Sequence, residues 1–188
     1  MRARPPEMLV HLSLVLLAVA GCATAHSPRE WTPPATIPVQ WELESVPFVP
    51  QAEYRCGPAS LAMVLAWIGH PVRPDELVGQ VYSLGRRGSL PMDMAGAARR
   101  HGLVAYPIST LRDVVTEVAA GNPVIVLQNL GSSDRPRWHY AVVVGYDFVR
   151  EQVMLRSGLT PREVSSLDRK STRLNSSHSA KSRMPSSA

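Results

Sequence analysis

Three short apolar runs in the second half of this chain decide most of what it can become. Residues 124–130 (VIVLQNL), 139–146 (HYAVVVGY) and 152–157 (QVMLRS) are rich in β-branched and aliphatic side chains and stand only a few residues apart. Their length and branching fit strands. A turn around residues 147–151 pairs the last two as a hairpin. Upstream the spacing is helical. Residues 56–68 carry apolar side chains at Leu61, Val64, Leu65 and Ile68, with Pro58 in the first turn and Gly69 as a stop. Residues 75–84 form a short amphipathic helix, 85–88 a loop, and 91–101 a helix closed by Gly102. A strand follows at 103–108, and then a helix capped by Ser109 or Thr110 and ended by Gly121. Residues 39–49 alternate like a strand but carry Pro47, which suits an edge or an extended lead-in. Helices first and strands later point to an α+β domain over residues 39–167, its helices packed on an antiparallel sheet.

The two ends read differently from this body. Residues 1–21 place Arg2 and Arg4 ahead of an apolar run from Met8 to Ala20, too short to span a bilayer and suited to a signal-peptide core. The run closes on Val19-Ala20-Gly21-Cys22, which resembles a bacterial lipoprotein signal. That resemblance implies cleavage before Cys22 and a diacylglycerol on its thiol; the competing reading is an ordinary secretory signal with Cys22 incidental. With Ala23 next, Gram-negative sorting rules imply the outer membrane, with the domain facing the periplasm. Residues 22–38, rich in Pro, Thr and Ala, read as an extended tether. Residues 168–188 hold both lysines of the chain and seven serines, with no apolar period. They are expected to be disordered. DRKSTRLNSSH and SRMPSSA resemble a sequencing-library adapter translated in frame, so the natural chain is expected to continue past Leu167; a natural tail is the other reading.

Charge excludes one class of function. The chain of 188 residues has a net charge of +5, yet the excess lies in the ends. Residues 22–167 hold 13 basic and 13 acidic side chains, so the body offers nothing to bind nucleic acid by bulk charge. Two cysteines exclude a disulfide framework and a four-thiolate zinc site. His70 and His101, each beside a glycine at a helix end, do not make a metal site by spacing. No cofactor is expected.

Cys56 is the one cysteine of the body, and it opens a helix. A helix N-terminus presents unpaired N–H groups and partial positive charge, which favour the thiolate. Gln51, five residues upstream, carries an amide able to donate to the oxyanion formed when a thiolate attacks a carbonyl, beside the Cys56 N–H. His139, 83 residues downstream, heads a buried strand, from which an imidazole can take the cysteine proton and return it to a leaving amine.

The blocks PFVPQAEYRCGPASLAMVL and WHYAVVVGYD together resemble the C39-type papain-like cysteine peptidases over roughly residues 45–158. More narrowly they resemble stand-alone C39-like lipoproteins that carry tetratricopeptide helices behind the peptidase domain. The resemblance implies a papain-like fold and hydrolysis of a peptide or protein substrate through a thioester. Cys56 is then the nucleophile, His139 the general base and acid, and Gln51 the oxyanion donor. Acylated Cys22 would hold the chain to a bilayer, and repeats beyond the domain would carry protein partners. One position departs from the family. Its acidic residue on the strand after the histidine strand is replaced by Ser157, which accepts a hydrogen bond but adds no charge. Asp147, at the far end of the histidine strand, is expected to lie out of reach of His139. The alternative to catalysis is an idle C39-like domain that binds an extended peptide or serves as an envelope scaffold.

Overall fold

Prolines and small residues punctuate the first half of the fold as the spacing predicts. The computed structural model describes residues 35–167 and the main chain of one later strand, Ser177–Ser182. The expected signal segment, Cys22 and most of the tether lie outside the described residues. A three-residue strand, β1 (Gln40–Glu42), leads through a loop to helix α1 (Cys56–Trp67). Helices α2 (Pro74–Val81) and α3 (Pro91–Arg100) follow, each with proline in its first turn and an acid beside it, Asp75 and Glu76 in one and Asp93 in the other. The second helix stops at Val81, three residues short of the expected end, and a small hairpin, β2 (Tyr82–Ser83) and β3 (Gly88–Ser89), stands between the two helices around the expected loop. Strand β4 (Leu103–Ile108) leads to helix α4 (Leu111–Ala119), whose cap is Thr110: its Oγ accepts from the Asp113 N–H at 3.1 Å. Gly69 and Gly121 end α1 and α4 at φ of 85° and 88°, the left-handed conformation that terminates helices without a Cβ penalty.

The three apolar runs become β5 (Val124–Asn129), β6 (Trp138–Asp147) and β7 (Gln152–Ser157). Two further strands were not foreseen, β8 (Thr160–Ser166) and β9 (Ser177–Ser182). The sheet runs β4-β9-β5-β6-β7-β8, and its neighbours are antiparallel. Strand β1 pairs with β6 at Gly145–Asp147, just past the point where β5 stops. Gly145 is needed there, because a Cβ would fall 2.7 Å from the Trp41 carbonyl oxygen and 2.8 Å from Met154 Cε.

The expectation of disorder over 168–188 is corrected for residues 177–182. Strands β4 and β5 run parallel to each other with one strand's width between them, so both would present unpaired main-chain groups to the gap. A strand antiparallel to both completes the two ladders, and main-chain pairing makes little demand on side-chain type.

The core lies on both faces of the sheet. Helix α1 is buried from Gly57 to Leu65 and packs Leu61 and Leu65 against Tyr140, Val142 and Val144 of β6. It is apolar on nearly every side, as a central helix must be. The alternate residues of β5 and β6, Val124, Val126, Ala141 and Val143, are buried on the other face. Helix α4 supplies Val114, Val115 and Val118, none of them accessible, to the same α4–β5–β6 packing. This is the α+β arrangement expected, with helices on an antiparallel sheet.

Candidate active site

The open N-terminus of α1 sets the chemistry. Unlike α4 it has no side-chain cap, and unlike α2 and α3 it has no acid in its first turn. Nothing competes there with Cys56 for the helix N–H groups. Cys56 is half-buried. Burial pushes its thiol up, while the N–H groups of Tyr140, Gly57 and Cys56 itself hydrogen-bond the sulfur and pull the other way.

The Tyr140 contact carries the geometry, since Tyr140 directly follows His139 on β6. A sulfur near enough for that peptide N–H to lower its pKa lies by the head of the histidine strand. His139 is half-buried, and its Nε2 is 3.1 Å from Ser157 Oγ on β7. That contact leaves Nδ1 as the ring nitrogen not held by Ser157. Burial draws the imidazole pKa down most; Glu163 raises it and Arg137 lowers it. Cysteine, histidine and serine, 83 and 18 residues apart along the chain, are thus brought towards one end of β6.

Gln51 is at the same place, held more tightly than a loop residue. The β6–β7 ladder is last in register at Val142 and Arg156, and beyond it the strands part. Gln51 fills the gap. Its main-chain N–H donates to the Gly158 carbonyl at 2.9 Å, and its Oε1 accepts from the Gly158 N–H at 2.8 Å. Its Nε2 donates to the Tyr140 carbonyl at 3.1 Å and to Ser60 Oγ at 3.0 Å. Both amide hydrogens are engaged, so an oxyanion is received by Gln51 only in exchange for one of these bonds. The amide is also a clamp that joins β6, β7 and α1 around the cysteine.

Asp147 lies at the far end of β6 and is used there. Its carboxylate accepts from the N–H groups of Val149 and Arg150 and pairs with the Arg150 guanidinium at 2.7 Å. The Arg150 contacts, above all, hold it below the usual carboxylate range. Trp138, beside His139, is 47% exposed and forms part of the rim rather than the core. Among the described residues no group of three or more His, Cys, Asp and Glu side chains could hold a metal ion.

Sequence reasoning missed several contributors. Ser89 on β3 presses against Gly57, next to Cys56, and its carbonyl accepts from the Tyr140 hydroxyl at 3.3 Å. Burial is the main cause that pushes the Tyr140 phenol far up. Gly158, in the turn, and Glu163, on β8, belong to the β7–β8 hairpin, which no local pattern announced.

A cysteine at the open end of a buried helix, against a histidine at the head of an antiparallel strand, is the arrangement of the papain-like cysteine peptidases. The model of the Peptidase_C39 like family matches residues 43–164, and the chain belongs to that family. No curated protein matches. Solved structures share the fold at low identity. A Bacillus anthracis protein assigned to the C39-like peptidases is 18% identical, with a TM-score of 0.61 over 78% of this chain and 99% of that one. The peptidase domain of Streptococcus ComA, a bifunctional ABC transporter of a quorum-sensing pathway, is 20% identical, with a TM-score of 0.60 over 73% and 99%. A double-glycine-motif protease from an AMS/PCAT transporter, solved with its leader peptide, is 23% identical, with a TM-score of 0.59 over 73% and 91%. The family and the fold make this a peptidase-type protein.

Proposed function

We propose that the chain is a cysteine peptidase that hydrolyses peptide bonds through a thioester at Cys56, and that a lipid on Cys22 holds it to the cell envelope, facing the periplasm from the outer membrane. His139 Nδ1 takes the thiol proton as sulfur attacks the peptide carbonyl carbon. The oxyanion is received by the Cys56 N–H and by the Gln51 amide, which exchanges one of its present bonds. As the tetrahedral species collapses, the carbon–nitrogen bond breaks and the imidazolium returns its proton to the leaving amine. Water, deprotonated by the same imidazole, then splits the thioester and frees the thiol. A raised thiol and a lowered imidazole mean that the resting pair is neutral, so proton transfer accompanies attack.

The observation that carries this reading is that Cys56 opens a helix packed on β6, the strand headed by His139, whose ring is held by Ser157. A peptide substrate is supported by the leader peptide bound to the AMS/PCAT protease. Incubating the purified domain with a peptide library tests the reading. Cleavage that disappears in Cys56→Ala and in His139→Ala is expected. A wild-type protein that cleaves nothing and whose Cys56 resists iodoacetamide across the pH range would falsify it. Metabolic labelling with a palmitate analogue tests the anchor: label is expected on the wild type and absent from Cys22→Ala.

A further inference from the structure

The family's acid is missing at position 157, yet the sheet brings a carboxylate to the same face from one strand further out. Leu155 of β7 stands opposite Glu163 of β8, and directly paired residues of an antiparallel ladder point to the same side. Ser157 is two residues beyond Leu155 on β7 and shares that face. The register shift between Leu155 and Ser157 puts the extra residue on β8, where Thr160 stands opposite Ser157, so the alternation of β7 is kept. Glu163 is therefore the diagonal neighbour of Ser157, whose hydroxyl is 3.1 Å from His139 Nε2. It is half-buried, and it is hydrogen-bonded or ion-paired to no described residue.

We propose that Glu163 is the anionic positioning residue for His139, with the two duties of the family's acid divided: Ser157 orients the ring and Glu163 supplies the charge. The proposal rests on the peptidase reading and deepens it. When the imidazole takes the thiol proton, Nε2–H donates to Ser157 Oγ, and the carboxylate one strand away stabilises the new positive charge through space. Electrostatics agree in sign, since Glu163 raises the imidazole pKa. The other groups around the ring do not replace it. Arg137, just before β6, opposes it, and Cys56 on α1 is the reaction partner. The β5 residue opposite His139 is the uncharged Gln128, and β7 offers Ser157. On α4, Asp113 is turned to Thr110, and Glu117 to Tyr106 and Asn122.

The test compares the wild type, Glu163→Gln and Glu163→Asp, after circular dichroism has shown that all three fold alike. The His139 ring is titrated by NMR, and peptide-library hydrolysis is followed against pH. In Glu163→Gln the His139 titration is expected to move to lower pH. Its kcat at neutral pH should fall about 3- to 10-fold with KM unchanged, as loss of one stabilising charge on a general base implies. Glu163→Asp should restore most of both. High salt should shrink the difference between wild type and Glu163→Gln only in part, because a half-buried charge is screened less than an exposed one. An unmoved His139 titration in Glu163→Gln overturns the proposal, and so does a Glu163→Asp variant shifted as far as the Gln. The NMR titration does not need turnover. If the wild type neither cleaves peptide nor alkylates, the peptidase reading fails, while the ring titration still decides the link between Glu163 and His139.

Discussion

His139 and Ser157 meet beyond the open end of the β6–β7 ladder, Nε2 to Oγ at 3.1 Å, and this contact sets which ring nitrogen is left for the proposed proton transfer. A ring held at Nε2 offers Nδ1 to the sulfur. The serine is buried, 3% exposed, so water cannot replace it readily. A neutral hydrogen bond of this kind contributes about 1 kcal/mol, which corresponds to roughly five- to tenfold in rate. Ser157→Ala should lower kcat by about that factor and leave KM near its wild-type value. Ser157→Asp, which puts charge directly on Nε2, should raise the His139 pKa. Steady-state kinetics against pH separate the two variants; equal profiles for Ala and Asp would remove Ser157 from the mechanism.

The pH behaviour follows from burial at both reacting groups. Burial pushes the Cys56 thiol up and draws the His139 imidazole down, so no thiolate–imidazolium pair stands ready in the free protein. Iodoacetamide needs only thiolate. Its rate should therefore climb on the alkaline side of the ordinary thiol range and show no plateau in mild acid. An acid plateau would mean a preformed ion pair.

Stability should follow the same two groups. A depressed imidazole contributes stability above its unfolded pKa, lost as pH falls through the folded value. A raised thiol contributes below its unfolded pKa, lost as pH rises through the folded value. Urea midpoints should therefore be highest between the two titrations. His139→Gln should flatten the acid side, and Cys56→Ser the alkaline side.

Gln51 joins strand ends that would otherwise separate. Four hydrogen bonds leave this one residue: two to Gly158, one to the Tyr140 carbonyl and one to Ser60. Gln51→Ala leaves buried partners unpaired and should cost about 2–4 kcal/mol of stability, on the scale of one to three per orphaned buried group. A residue that served only the oxyanion would lose kcat with its unfolding midpoint unchanged. Chemical denaturation and kinetics on the same variant distinguish the two, and the clamp predicts that both fall.

Much of this fold was legible because its elements are locally consistent. The β5, β6 and β7 runs announce themselves by branching and length, and Pro91 and Gly69 mark helix limits that hold within a residue. The cysteine and the histidine were legible because each sits at an element's head, a position the hydrophobic pattern fixes, and the glutamine because of its spacing from the cysteine. Strand β8, reading TPREVSS, hid behind a proline and exposed polar residues, because as a sheet edge it needs little apolar content. Glu163 was hidden with it: which face a β8 residue takes depends on an irregular register that only the three-dimensional pairing reveals. Ser89 was hidden for another reason, since the approach of a two-residue strand to a helix end leaves no periodic trace.

That approach makes Gly57 a sensitive position. A Cβ added there would lie 2.3 Å from Ser89 Oγ, 2.6 Å from Ser89 Cβ and 3.3 Å from Met94 Sδ. The hydroxyl can rotate away, but the Ser89 Cβ cannot move without shifting β3, and with it the carbonyl that receives the Tyr140 hydroxyl. Gly57→Ala should therefore destabilise the domain by about 1–3 kcal/mol, the usual cost of overpacking. Because the Gly57 N–H also lowers the Cys56 thiol pKa, alkylation of Cys56 should change alongside stability. Ser89→Gly removes the obstructing atoms and should recover part of both losses when combined with Gly57→Ala. A double-mutant cycle of unfolding midpoints measures that recovery. Strict additivity of the two substitutions would show that β3 does not press on the nucleophile's helix.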